Sequence, residues 1–263
     1  MIFHESGCHS HTHCGWADRP CASLTDAVSD GTTTLTHDVE LMGDLVLSQG
    51  LSVTDQACEF GSDSLTEVRT LNLSSSLAPS QSSSAALDAS SSLTITRVHL
   101  SIPTFTAETK ESLSTLFHSS SSLSLVSVQF SPQNEEIEPV PVSLITTTAG
   151  VLSCTDLTVS DLSFGDAVTP ILISSTSQGA TFENSKVKDL SLSASFFSFT
   201  SPTTTHHTTN TDTISIINTN FTDIIVTQAV PVVFDLPSSD SLSATLCFFT
   251  NLSSTLKKGE WLA

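Results

Sequence analysis

Apolar residues recur along this chain with the spacing h-x-h-x4-h-x2-h, where h is an apolar side chain. Leu152, Cys154, Val159 and Leu162 follow it, as do Ala180, Phe182, Val187 and Leu190. Ile214, Ile216, Phe221 and Ile224 repeat it again. Leu93, Ile95 and Leu100 match its first three positions, and so do Leu123, Leu125 and Phe130. A shortened unit, Ala244, Leu246 and Leu252, is read as the last. The unit starts at 93, 123, 152, 180, 214 and 244 are 30, 29, 28, 34 and 30 residues apart. The long step holds a Thr/His-rich insertion, Ser201 to Asp212, expected as a corner loop. A second apolar family precedes most units at a similar period: Leu116-Phe117, Leu144-Ile145, Ile171 to Ile173, Phe196-Phe197 and Val232 to Phe234.

The h-x-h doublet alternates with period two, so both apolar side chains point to one face of a strand. A polar spacer then turns the chain and the next h opens another strand. One such coil cannot bury its inner face alone; stacked coils bury a continuous apolar column and pair backbone to backbone. The pattern predicts an all-β fold, a right-handed parallel β-helix solenoid with coils of about 27–30 residues. An antiparallel sandwich would show hairpin turns at short intervals, whereas the sole Asp-Gly is Asp30-Gly31. The β-branched, Ser-rich units are also poor helices.

The segment from Cys14-Gly15 through Pro20-Cys21 to Ser23-Leu24-Thr25-Asp26-Ala27-Val28 resembles the entry motif of right-handed β-helix surface proteins of the pectin-lyase-like fold. The resemblance implies a short N-terminal capping helix, with Ser23 suited as its N-cap, and a disulfide between Cys14 and Cys21. Val39 to Leu41, Leu45 to Leu47 and Leu51 to Val53 are expected as the first strands. The expected organisation is a disordered His-rich tail at 1–13, a cap segment at 14–34 and the β-helix at 35–263, truncated at its C-terminus. That family includes lyases, hydrolases and non-catalytic adhesins, so the resemblance implies architecture and not activity.

Composition sharpens this. Ser and Thr make up about a third of the chain, which suits solvated strands and turns. With 27 acidic and 8 basic residues, the net charge is −19. Nucleic-acid binding needs Lys and Arg to displace counterions, so no nucleic-acid partner is expected. No apolar run reaches the roughly 18 residues that mark a transmembrane helix. The first residues show neither a basic nor an apolar leader region, so an extracellular or cell-surface location is expected from the resemblance alone. The sequons at Asn72, Asn220 and Asn251 are candidate glycosylation sites in a secreted chain.

The candidate chemistry is thin. His9, His11 and His13, flanked by Cys8 and Cys14, alternate on one side of an extended segment, and imidazole with thiolate suits zinc. Their spacing matches no closed structural zinc site, so they are weak metal candidates, and no cofactor is expected. Asn210-Thr211-Asp212 resembles a polygalacturonase tripeptide, but the Asp-Asp, Gly-His-Gly and Arg-x-Lys that complete that site are absent. Lys186 and Lys188 alternate on one strand, and Asp156, Asp161 and Asp189 stand where turns favour Asp. Cys154, at a strand position, is expected in the core. The expectation is a non-enzymatic surface or secreted scaffold for adhesion or spacing, with glycans or other surface proteins as partners. The alternative is a polysaccharide lyase or glycoside hydrolase of the same fold.

Overall fold

The computed structural model describes residues 2–4, 34–35, 38–54, 56–62, 66–80, 83–134, 139–164, 173–175, 179–193, 195–199, 213–227, 234–235 and 241–254. Their strands form three sheets, and each coil of the chain visits the three in turn. The first sheet runs through Val39–Leu41, Cys58–Ser62, Leu93–Thr96, Leu123–Val126, Leu152–Thr155, Gly179–Glu183, Thr213–Ile217 and Ser241–Thr245. The second runs through Leu45–Gln49, Arg69–Ala78, Val98–Ile102, Gln129–Pro132, Thr158–Ser160, Lys186–Leu192, Asn220–Val226 and Phe248–Thr250, with Ser253–Ser254 also pairing Asn220–Val226. The third contains Thr34–Leu35, Leu51–Val53, Ala85–Ala89, Thr115–Ser119, Ser143–Thr147, Ile173–Ser175, Phe197–Phe199 and Phe234–Asp235. All these neighbours pair in parallel. Ile2–His4, within the expected tail, adds antiparallel to Val39–Leu41. The remaining residues of 1–33, including the expected capping helix, lie outside the described residues.

The register stacks like on like. Leu125 pairs with Cys154, Cys154 with Phe182 and Phe182 with Ile216. All four are buried, Leu125 and Ile216 at 0% exposure. In the second sheet Leu71, Leu100, Phe130, Val159, Val187 and Phe221 form a parallel column, likewise buried. Leu87, Phe117 and Ile145 do the same in the third sheet. Edge-to-face rings join the columns across the interior, Phe117 to Phe130 at 5.6 Å and Phe182 to Phe197 at 5.4 Å.

The backbone explains why the repeat has its gaps of four and two. From Leu93–Thr96 onward, one left-handed residue turns each coil from the first sheet into the second: Arg97, Ser127, Asp156, Asn184, Asn218 and Leu246, with φ between 49° and 55°. The corner does not interrupt the hydrogen-bond ladder. The N–H of Arg97 donates to Val126 O at 2.8 Å, that of Ser127 to Thr155 O at 2.8 Å, and that of Asp156 to Glu183 O at 2.9 Å. Each of these corner N–H groups is thereby satisfied. A second left-handed position follows five residues later at Asp161, Asp189, Asp223 and Asn251. It breaks the alternation, so Val159 and Leu162 both point inward although three residues apart. Asp and Asn tolerate this conformation because their short polar side chains bond locally.

The last unit needs correction. Ile214 pairs with Leu242 and Ile216 with Ala244, so the doublet is Leu242-Ala244 and not Ala244-Leu246. The final step is 28 residues, and Leu242, Ala244, Phe249 and Leu252 satisfy the whole repeat. Leu246 is a corner residue, 67% exposed, with φ 54°. Its apolar side chain imitated an inward position. The described helix, α1 (Ala107–Ser112), is an insertion between the second and third sheets. Thr106 caps it, its Oγ1 accepting from Thr109 N at 3.3 Å, and buried Phe105 and Leu113 bracket it.

Two substitutions test this geometry. Leu125→Ala empties a stacked column and is expected to cost about 3 kcal/mol in urea unfolding, against under about 0.5 kcal/mol for outward-facing Ser124→Ala. Leu246→Asn removes a left-handed leucine without losing burial and is expected to raise stability by about 1 kcal/mol.

Candidate functional site

Parallel register also decides what the outer faces present. On the first sheet Thr94, Ser124, Ser153, Thr181, Ser215 and Ser243 form one outward column, each the strand partner of the next. Beside it run Thr96, Val126 and Thr155. Rows of hydroxyls and methyls therefore repeat at the strand spacing of about 4.8 Å. Glu59, partner of Thr94, borders this patch on one side, and Glu183, partner of Thr155, on the other. Thr96 Oγ1 donates to Glu59 Oε1 at 2.9 Å.

The second sheet carries the cations Arg69, Lys186 and Lys188 and a file of left-handed acids. Lys188 Nζ donates to Asp189 Oδ2 at 3.1 Å, and Asn251 Nδ2 donates to Asp223 Oδ1 at 2.7 Å. The hydrogen bond to Asp189 leads in holding the Lys188 ammonium above its ordinary value, helped by the charge of Asp161 and lastly that of Asp223. These acids sit where the backbone requires left-handed residues, as their turn chemistry predicts.

On the third sheet one pair stands out. Asp88 and His118 are strand partners thirty residues apart, and His118 Nδ1 lies 2.6 Å from Asp88 Oδ1. A carboxylate can only accept, so Nδ1 donates and Nε2 is the atom left to exchange protons. The His118 side chain is 26% exposed and that of Asp88 12%. Thr146 pairs with His118 on the other side, but its hydroxyl donates to Thr115 Oγ1 at 3.3 Å. The arrangement is an oriented imidazole on a strand face. Sequence reading missed it because nothing local links the two residues; stepping the second apolar family back one period from Leu116-Phe117 would have found it.

The other expected residues separate cleanly. Asn72, Asn220 and Asn251 all lie on the second sheet or at its left-handed edge. Cys154 is buried in the first-sheet column, where loss of solvation pushes its thiol far up. Cys58 is buried, its thiol raised by burial and by Asp38, and Cys58, Cys154 and Cys247 are all free. Cys14, Cys21, His9, His11, His13 and Asn210 to Asp212 lie outside the described residues. Among the described residues no three His, Cys, Asp or Glu side chains gather to hold a metal, and no helix is long and apolar enough to cross a membrane.

Three parallel sheets wound coil upon coil define a β-helix solenoid. No protein-family model, curated protein or solved structure matches the chain. The assignment of architecture therefore rests on the strand register itself.

Burial differences predict the thiol and proton chemistry. Cys154 is expected to resist thiol reagents until the chain unfolds, while half-buried Cys247 reacts in the native state, as timed labelling and mass spectrometry would show. His99, bonded through Nε2 to Ser131 Oγ at 2.7 Å, has its pKa lowered by burial, an effect partly offset by Asp44. A histidine lowered on folding leaves stability intact above its unfolded value of about 6.5. As pH falls below that value the unfolded chain takes the proton first, so stability is lost. Denaturation midpoints should decline on acidification from neutrality, and His99→Gln should flatten that part of the decline.

Proposed function

We propose that this chain is a secreted or surface-exposed β-helix scaffold, of the pectin-lyase-like kind, that uses a flat sheet face for adhesion. The observation that carries the reading is the hydroxyl patch of Thr94, Ser124, Ser153, Thr155 and Thr181 on the first sheet. Sugars are polyhydroxylated and present the same mixture of O–H and C–H groups. Regular rows of donors and acceptors favour many weak contacts with a repeating surface over one deep contact with a single molecule. The net charge of −19 repels polyanions, so neutral glycans are the favoured partners.

The competing reading, a carbohydrate-active enzyme of the same fold, centres on the Asp88–His118 pair, whose oriented imidazole suits general-base chemistry. Arrays of neutral glycans, together with pectate and galacturonan turnover assays, separate the two. The scaffold reading expects multivalent binding to neutral glycans that falls about tenfold in a Ser124→Glu/Ser153→Glu variant, a change of about 1.4 kcal/mol, with no turnover. Turnover abolished by His118→Gln would replace it with the enzyme reading. Binding indifferent to the first-sheet substitutions would remove the proposed face.

A further inference from the structure

The three Asn-x-Ser/Thr sequons all sit on the second sheet, and strand geometry sets them in the same way. In each the middle residue turns inward: Leu73 is 2% exposed, Phe221 is 1% exposed, and Leu252 packs against the core. Alternation then puts Asn72 with Ser74, and Asn220 with Thr222, on the outer face. Asn251 is exposed at its left-handed corner.

A separate pattern coincides with this one. The second-sheet strands turn Val46, Ile225 and Phe248 outward, exposed at 62%, 43% and 60%. Outward apolar side chains of this size are at odds with the Ser/Thr character of the surface around them. Each is the strand partner of a sequon residue. Val46 lies opposite Asn72, Phe248 opposite Asn220, and Ile225 opposite Ser253 of the Asn251 sequon. Strand partners are about 4.8 Å apart, so an apolar side chain lies directly beside Asn72 and Asn220, while Ile225 lies beside the hydroxyl residue of the third sequon, two positions beyond Asn251. The C–H face of a pyranose ring is what such a side chain can cover or be covered by.

We infer that the outer face of the second sheet is N-glycosylated at Asn72, Asn220 and Asn251, and that the first sugars of each glycan cover Val46, Phe248 and Ile225. The donor is an oligosaccharide carried on a lipid diphosphate. The amide Nδ2 attacks its C1, the C1–N bond forms and the C1–O bond to the diphosphate breaks. The lipid diphosphate leaves and the amide loses one proton. Asn251 Nδ2, bonded to Asp223, keeps one N–H after substitution. Asn72 accepts from Gln133 Nε2 through Oδ1 at 3.4 Å, which leaves its Nδ2 uncommitted by that contact. The second sheet thereby becomes the shielded face and the first sheet the contact face. The inference rests on the secreted reading for access to the donor, and not on what the first sheet binds.

The test is expression of the full chain behind a cleavable leader in a glycosylating eukaryotic cell. Glycans are released from secreted and retained fractions alike with an amidase that converts each occupied Asn to Asp, and peptides are sequenced by mass spectrometry. Asp is expected at positions 72, 220 and 251. Glycan removal should raise binding of a hydrophobic dye several-fold, and a Val46→Ser/Ile225→Ser/Phe248→Ser variant should keep occupancy while losing that rise. Unconverted Asn at the three positions, or dye binding unchanged by glycan removal, overturns the inference. Glycan-array binding of unglycosylated bacterial protein reports the adhesion proposal separately, so either can fail alone.

Discussion

Backbone pairing between successive coils, in parallel and in register, is the constraint on which the rest of this structure depends. Every N–H and C=O that leaves a strand sideways must meet the coil above or below. The chain can satisfy this only if equivalent positions lie over one another. Inward positions then stack into columns, and the corner residues stack into files. The corner N–H groups show how strict the requirement is, since Arg97, Ser127, Asp156, Asn184 and Asn218 each bond the coil above through the bend. An insertion between strands, as in the 34-residue step, leaves the pairing of Ala180 with Ile214 undisturbed, whereas extra residues inside Arg69–Ala78 shift its register against Leu47 and Gln49.

The same stacking makes surface charge costly. Like charges directly opposite on neighbouring strands repel, and a chain of net charge −19 must distribute them with care. Ser and Thr solve the problem on most outward positions because they stack without repulsion. Of the left-handed files, the first holds Asp156 beside the amides Asn184 and Asn218, whereas the second stacks Asp161, Asp189 and Asp223 before Asn251. Asn218 Nδ2 donates to Asn184 Oδ1 at 2.7 Å, and Asn251 does the same to Asp223, while Lys188 lies among Asp161, Asp189 and Asp223. On the third sheet the Asp88 carboxylate accepts a hydrogen bond from an imidazole of the next coil. Hydroxyl-rich faces are thus a consequence of the architecture before they are a binding surface. What distinguishes the first sheet is the unbroken hydroxyl column of Thr94, Ser124, Ser153, Thr181, Ser215 and Ser243 that follows Glu59.

Legibility followed the physics of burial. The doublets at 93, 123, 152, 180 and 214 were readable because two inward residues on one strand obey a period of two whatever the surroundings. The last doublet was misplaced by two residues, because exposed Leu246 looks apolar in sequence and only its backbone angle reveals a corner. Ala85–Ala89 escaped notice as a third-sheet strand because alanine gives a weak apolar signal; its pairing with Thr115–Ser119 identifies it. The Asp88–His118 pair and the apolar neighbours of the sequons depend on which coil follows which, and a list of residues does not contain that.

Sequence alone determined the repeat, the all-β character and the polarity of the exterior, because each follows from side-chain period and from the cost of burying charge. Tertiary structure decided which residues become neighbours across coils. Contacts between strands thirty residues apart are set by register, and register is an agreement among all the coils at once. The left-handed corners convert an uneven spacing of apolar residues into an even inner wall. They also bring three sequons, three outward apolar side chains and the hydroxyl rows to their particular faces.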